Sequence, residues 1–252
     1  MDSISFGNAS SRQFFDHYAG VDSCDLSFEE IDSLRPQVYA EYLKEYREDP
    51  CILKTHDAFT FLPDGNALLC PPVKVSAIYL VRNPLDVTVS YKYHFGLENF
   101  DTAIEQMGNP DQALCANLDR LEPQLRQKLL GWSGHVRSWQ RAGIPVHFMR
   151  YEDMHANPLK EFKAALRFVG LRTSNEKIAK ALSLSTFNKL QMLEKSYGFR
   201  EKPRGFAPFF RKGEPGSWRE HLNTAQVERI TNYHSEAMIA MGYLNEEQKP
   251  AN

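Results

Sequence analysis

The chain has 252 residues, of which 42% are hydrophobic and 12% aromatic. That length fits one large domain or two small ones, and the apolar content supplies a sizeable core, which excludes wholesale disorder. The formal net charge is −2, so no global basic field draws the chain to nucleic acid or anionic lipid, and any anion site must be local.

The N-terminal MDSISFGNASSRQFF has no basic segment leading into an apolar core, so it is no secretory signal. Leu34–Tyr46 places Val38, Tyr39, Tyr42, Leu43 and Tyr46 at helical spacing. Cys51–Lys54 is a short apolar run that stops at polar residues, which predicts a strand. Three prolines and one glycine between residues 57 and 74 predict a loop. Ser76–Val81 is a continuous β-branched and aromatic run, suited to a strand buried on both faces. It leads into Arg82-Asn83-Pro84, where a helix is expected to run to about His94. Gln124–Arg141 is predicted as one long amphipathic helix and Pro145–Met149 as a third strand. Further helices are predicted near Leu159–Val169, Asn175–Leu184, Thr186–Lys195 and Thr224–Met241. Residues 197–217 show no periodicity and are expected to form a loop, either ordered or mobile. No run approaches ~18 continuous apolar residues, so no membrane span is expected. Cys24, Cys51, Cys70 and Cys115 fit no CxxC pattern and are read as reduced thiols in a cytoplasmic protein.

Short buried strands alternating with helices predict an α/β fold with a parallel sheet. No repeat or linker divides the chain, so a single domain over 1–252 is the expectation. In such sheets ligands bind beyond the carboxyl ends of the strands. That rule selects Lys54-Thr55-His56, Arg82-Asn83-Pro84 and Arg150-Tyr151-Glu152. At the second of these, Asn83 is a good N-cap and Pro84 suits the first helical position. Free backbone N–H groups, the positive end of the helix and Arg82 together make a phosphate site; Ser90, two turns on, can add a hydroxyl. Pairing of Arg82 with Asp86 is the competing interpretation. His56 can serve as a general base and Lys54 can stabilise charge on a leaving group; a His56 packed under the loop is the alternative. Arg211-Lys212-Gly213 is a basic turn, and Arg200, Lys202 and Arg204 extend the local positive charge. Either a solvated turn or an anion clamp fits it.

Together these segments carry a resemblance. LVRNPLDVTVSYKYHF resembles the 3′-phosphate segment of sulfotransferases that use 3′-phosphoadenosine-5′-phosphosulfate (PAPS). ILKTH resembles the strand bearing that family's catalytic His, RYEDM its Tyr-Glu-Asp segment, and RKGEPGSW its RKGxxGxW motif. The resemblance covers residues ~50–245 and implies a parallel sheet flanked by helices, related to the P-loop nucleotide kinases. It implies that Arg82, Ser90, Arg211, Lys212 and Gly213 contact the 3′-phosphate. Tyr151, Ser185, Thr186 and Phe187 would lie by the adenine. His56 would be the base and Lys54 would sit beside the sulfonate. The implied activity is sulfonate transfer from PAPS to a hydroxyl or amine of a small molecule, without a metal, leaving adenosine 3′,5′-bisphosphate (PAP).

Two features depart from the family. Its opening strand and loop, like YPKSGTTW, grip the 5′-phosphosulfate. Nothing in residues 1–50 resembles them; SFGNASSR at Ser5–Arg12 has one Gly and no Lys. Met1 is therefore expected to fall downstream of that unit, leaving strands of the sheet without a neighbour. A start further upstream, a natural fragment or a loop supplied by another chain would each explain this. The second reading it raises is an inactive relative that binds a PAP-type nucleotide or a partner chain. The vertebrate dimer motif KxxxTVxxxE is also missing around Arg219–Glu228, so that mode of dimerisation is not expected. The aromatic residues Tyr91, Tyr93, Phe95 and Phe59–Phe61 can line an acceptor pocket or pack the core. Tyr197, Phe199, Phe206, Phe209 and Phe210 can form a lid.

Overall fold

The computed structural model describes residues 7–46, 50–69, 74–117, 119–199, 208–245, 247 and 249–250. Cys70, Arg200, Lys202, Arg204 and Phe206 lie outside them. In chain order the elements are β1 (Gly7–Asn8), α1 (Arg12–Ala19), α2 (Phe28–Glu45), β2 (Leu53–Lys54), β3 (Ala77–Val81), α3 (Pro84–His94), α4 (Phe100–Gly108), β4 (Ala113–Leu114), β5 (Gln127–Lys128), α5 (Gly131–Gln140) and β6 (Val146–Arg150). They continue with α6 (Tyr151–Ala156), α7 (Pro158–Phe168), α8 (Asn175–Leu184), α9 (Phe187–Tyr197) and α10 (Thr224–Ala240). The chain divides into two compact units, Met1–Ala77 with Pro110–Val146, and Ile78–Asn109 with His147–Asn252.

In the first unit, β1 pairs in parallel with β2, Gly7 against Leu53 and Asn8 against Lys54. Within the segment Ser5–Arg12, which resembles no phosphosulfate loop, the described residues 7–12 supply a strand, a turn and the start of a helix. They give β2 a parallel neighbour, which corrects the expectation that it would lack one. Ser11 caps α1, its hydroxyl accepting from Phe14 N. The α2 helix begins earlier than its apolar pattern, at a capping box in which Ser27 and Glu30 satisfy each other's backbone N–H groups. Phe15, Ile31, Val38, Tyr39 and Leu125 form the apolar core of this unit.

The long helix expected over Gln124–Arg141 is replaced by a bridge, a strand and a shorter helix. Leu125 and Gln127 are fully buried, whereas Arg126 and Lys128 turn out to pair with Asp32. That alternation is a strand period, and β5 pairs antiparallel with β4. Leu130 (φ 58°) and Gly131 (φ 63°) then both take left-handed backbone, so helix begins only at Gly131.

Beneath β2 lies a buried ion pair. The Arg35 guanidinium donates to both Asp57 oxygens, at 3.0 and 2.7 Å, and its Nε donates to the Tyr39 hydroxyl at 2.8 Å. Tyr39 in turn donates to the Ala9 carbonyl at 3.0 Å. The Thr55 and Ser10 hydroxyls complete the Asp57 shell, at 2.8 and 3.3 Å.

In the second unit, β3 pairs with β6. Burial of β3 on both faces, expected from its apolar run, is not what is found: Val81 is buried, while Ile78 and Leu80 are 40% and 65% exposed. Successive side chains point to opposite faces, and here one face carries the core contacts. The α3 helix runs Pro84–His94 as expected, capped by the Asn83 side chain, which accepts from Leu85 N at 3.0 Å. Leu85 and Val89 of α3 pack with Ile104, Leu222 and Ile230 as the core of this unit. The remaining expected helices fall within three residues of their positions, and α1, α4 and α6 are additional.

Among the described residues Cys24, Cys51 and Cys115 carry free thiols, and no helix is long and apolar enough to cross a membrane.

Removing one partner of a buried ion pair leaves an uncompensated charge. Asp57→Ala is therefore expected to cost about 3–5 kcal/mol, measured as a lowered urea midpoint. Joint replacement of Arg35 and Asp57 by apolar residues is expected to cost less than Asp57→Ala alone.

Candidate functional site

Eight of the sequence-predicted site residues lie in the second unit. Arg82 follows β3 directly. Its Nη2 donates to the Glu214 carbonyl at 3.0 Å, and its guanidinium lies 4.4 Å above the Tyr151 ring. The Tyr151 hydroxyl donates to the Gly213 carbonyl at 2.6 Å. Burial raises the Tyr151 phenol, and the charge of Arg82 opposes the rise. Gly213 has φ +68°, and a Cβ there would meet the Phe187 ring at 2.2 Å. Glycine is thus required both for the backbone and for the close approach of Phe187. Arg82, Tyr151, Gly213 and Phe187 therefore form one continuous contact chain.

Arg211 lies 4.3 Å over the Tyr93 ring, one helical turn from the exposed Ser90 on α3. Lys212 pairs with Glu220, which holds the Glu220 carboxyl below its usual range. The His221 imidazole is pushed below its ordinary value, first by burial and then by the charges of Arg211 and Lys212. Arg211 and Lys212 thus place positive charge at this turn although the net charge of the chain is −2. Ser185 ends α8 with its hydroxyl donating back to the Ala181 carbonyl at 3.1 Å, two residues before Phe187.

The competing pairing of Arg82 with Asp86 is also present, with Arg82 Nη2 3.9 Å from Asp86 Oδ2. The buried Asp86 carboxylate has further partners. It accepts from Gly216 N at 2.7 Å, Trp218 N at 3.0 Å and the Ser217 hydroxyl at 3.2 Å. It therefore fixes the chain just after the basic turn. Glu152 plays a similar part, accepting from Asn83 N at 3.0 Å and the Tyr243 hydroxyl at 2.9 Å. A cavity of about 300 Å³, lined by Asp86, Arg150, Glu152, Gly216, Trp218 and Tyr243 among others, contains none of the predicted phosphate contacts.

Arg82, Arg211, Lys212 and Ser90 thus carry two guanidinium groups, an ammonium and a hydroxyl, donor types that suit an anion. Phe187 and Tyr151 offer aromatic surface for a base.

The other two predicted residues, Lys54 and His56, lie in the first unit at the end of β2. His56 is exposed. Its backbone is gripped by one face of α5. His135 Nε2 lies 3.1 Å from the His56 carbonyl, Trp139 Nε1 donates to the Asp57 carbonyl at 3.1 Å, and the Ser138 hydroxyl accepts from Phe59 N at 2.9 Å. His135 must be the donor to a carbonyl, which assigns its proton to Nε2. Phe59 packs against Trp139 at 5.3 Å and is buried, so it belongs to the core of this unit and not to a pocket.

Sequence reasoning missed His135, Ser138 and Trp139, although their i, i+3, i+4 spacing places them on one helical face. It also missed Glu194, whose carboxylate accepts from the backbone N–H groups of Phe209 and Phe210.

With this geometry in hand, the comparisons with known proteins assign a family. The sulfotransferase domain model matches residues 3–242, and the chain belongs to the sulfotransferase family. It is 31% identical to sulfotransferase 1A1 of Rattus norvegicus over 196 residues, covering 75% of this chain and 63% of that protein. It is 30% identical to sulfotransferase 1A1 of Mus musculus over 220 residues, covering 81% and 67%. The chain thus spans slightly under two thirds of the length of the rat relative. Among solved structures, mouse sulfotransferase 7A1 complexed with PAP is similar in fold, with a TM-score of 0.54, 22% identity and coverage of 79% and 69%. Retinol dehydratase in complex with retinol and PAP is similar in fold too, with a TM-score of 0.55, 21% identity and coverage of 79% and 57%.

Two outcomes test this geometry. Asp86→Ala removes an acceptor from three donors and is expected to cost about 2–3 kcal/mol, read as a lowered urea midpoint. The second concerns pH. Burial holds the His135 imidazole below its ordinary value, with its bond to the His56 carbonyl opposing. As pH falls below ~6.5 the unfolded chain takes up this proton before the folded one. Stability is therefore full above that value and is lost as pH falls toward the lowered folded value. His135→Gln, whose amide can still donate to the carbonyl, is expected to lose less stability between pH 7.5 and 5.5 in urea titrations.

Proposed function

We propose that the chain transfers a sulfonate from PAPS to a hydroxyl or amine of a small-molecule acceptor, with PAP as the other product. The observation that carries this reading is the contact chain Arg82–Tyr151–Gly213–Phe187. It unites three motifs separated in sequence around a set of phosphate donors. PAP in the structural neighbours and sulfotransferase sequence relatives support the same nucleotide.

In this reading Arg82, Ser90, Arg211 and Lys212 bind the 3′-phosphate, and the N–H groups at the start of α3 add dipole stabilisation. Gly213 lets the backbone close over it. Phe187 and Tyr151 flank the adenine, with Ser185 beside them. PAPS supplies an activated sulfonate whose S–O bond to the 5′-phosphate breaks as the acceptor's O–S or N–S bond forms. His56 takes the proton that the acceptor gives up, and Lys54 stabilises the transferring group. Both act through charge and position, without a metal. The grip of α5 on the His56 carbonyl fixes the backbone from which the imidazole projects.

Three variants separate the roles. His56→Ala is expected to lower turnover by about 10²–10⁴-fold with PAP affinity unchanged, measured by sulfonate-transfer assay and calorimetry. Arg82→Ala and Arg211→Ala are expected to weaken PAP binding instead. Retained turnover in His56→Ala would remove that residue as base. PAP binding by the native chain with no transfer to any hydroxyl or amine acceptor would favour an inactive nucleotide-binding relative.

A further inference from the structure

The basic turn is an irregular segment, yet the residues before it have little backbone freedom. The α9 helix presents Gln191 and Glu194, three residues apart on one face. Glu194 is only 9% exposed. Its two carboxylate oxygens accept separately, from Phe209 N at 2.7 Å and from Phe210 N at 3.0 Å. Gln191 Nε2 donates to the Phe210 carbonyl at 2.8 Å. One helix face thus takes both N–H groups and one carbonyl of the two residues directly before Arg211. The same helix starts at Phe187, whose ring closes on Gly213.

A buried carboxylate beside a site for a phosphate is electrostatically unfavourable. Its position is explained by the two N–H groups it fixes, since charge-assisted hydrogen bonds are the strong ones. Asp86 holds the other end of the turn at Gly216 and Trp218. Between these two anchors run the residues 211–215, with Arg211 over Tyr93 and the Glu214 carbonyl on Arg82. A cationic loop held at both ends needs little ordering when an anion arrives, and that saving in entropy appears as affinity.

We propose that Glu194, assisted by Gln191, is a positioning residue that sets nucleotide affinity by clamping the basic turn, without touching the nucleotide. The inference rests on the reading that Arg211, Lys212 and Gly213 bind the 3′-phosphate. A structural role alone would change stability; a positioning role changes the loop and the affinity together, while the rest of the unit stays intact.

The test measures PAP affinity by calorimetry and amide hydrogen exchange over residues 208–216, for Glu194→Ala, Glu194→Gln, Gln191→Ala and Arg211→Ala in the 252-residue chain. Glu194→Ala is expected to speed exchange at Phe209 and Phe210 and to weaken PAP binding at least about tenfold, with exchange in α3 and α10 unchanged. Glu194→Gln keeps one acceptor and is expected to fall between Ala and the native chain. Gln191→Ala, which spares the carboxylate, should show a smaller effect of the same kind. Native exchange at Phe209 and Phe210 in both Glu194 variants would overturn the clamp. Faster exchange with unchanged PAP affinity would also overturn the proposal, and Arg211→Ala then locates the fault. If Arg211→Ala weakens PAP binding, only the clamp's role in affinity fails. If it does not, the assignment of the basic turn to the phosphate fails with it. Should Glu194→Ala not fold, the Glu194→Gln and Gln191→Ala pair gives the same decision.

Discussion

The Asp86 carboxylate ties together the elements that carry the residues proposed to bind phosphate. It stands in the first turn of α3, where a negative charge is favoured by the free N–H groups. It is buried, and it spends its oxygens on the backbone of Gly216 and Trp218 and on the Ser217 hydroxyl. Without that acceptor, three donors from a loop rich in glycine would have to find water. With it, the turn is brought to the end of β3, where the Glu214 carbonyl meets Arg82. The Asp of the RNPLD segment and the GSW of the RKGEPGSW segment are therefore two halves of one hydrogen-bonded joint.

The joint also explains how a chain of net charge −2 keeps a positive turn. Several carboxylates near it do not face outward as free charges, although Glu214 within the turn is exposed. Asp86 and Glu194 are buried and satisfied by backbone N–H groups, and Glu152 is held by Asn83 N and Tyr243. The cations, by contrast, lie on aromatic rings: Arg82 on Tyr151, Arg211 on Tyr93. Stacking fixes a guanidinium without neutralising it. Lys212 differs, because its charge is shared with the exposed Glu220; a dianion must compete for it.

Much of this was legible in the amino-acid order, and the reasons differ by element. The α3 helix could be read to its last residue because Asn83 and Pro84 are strong local signals. The α8 helix could be read for the same kind of reason, with Ser174 as its cap. The segment 124–130 was misleading because Leu129 and Leu130 continue the helical face of Trp132, Val136 and Trp139. Its true period shows only in the alternating burial of Leu125 and Gln127, set by partners far away in sequence. The β1 strand has two residues, too few to carry a pattern. Of the site, the cations and aromatics stand out as residue types. Their supports do not, because a Glu at position 194 looks like any solvated helix residue until the chain at 209–210 is placed over it.

The same physical solution serves each unit separately. In the first, the Asp57 carboxylate, fully buried and doubly bonded to Arg35, sits one residue after the exposed His56, and α5 fixes the intervening backbone from its other side. In the second, Asp86 and Glu194 flank the half-buried basic turn. In both, the group assigned to chemistry is accessible, while an adjacent buried carboxylate removes freedom from the backbone that carries it. Reactive side chains gain most from a backbone that does not have to be ordered at the moment of binding. A buried carboxylate achieves this only if every oxygen has a donor, since an unsatisfied one would destabilise the fold it is meant to hold. The Thr55, Ser10, Ser217 and paired backbone N–H contacts meet that condition, which makes these uncharged donors as necessary to the site's geometry as the charged residues they surround.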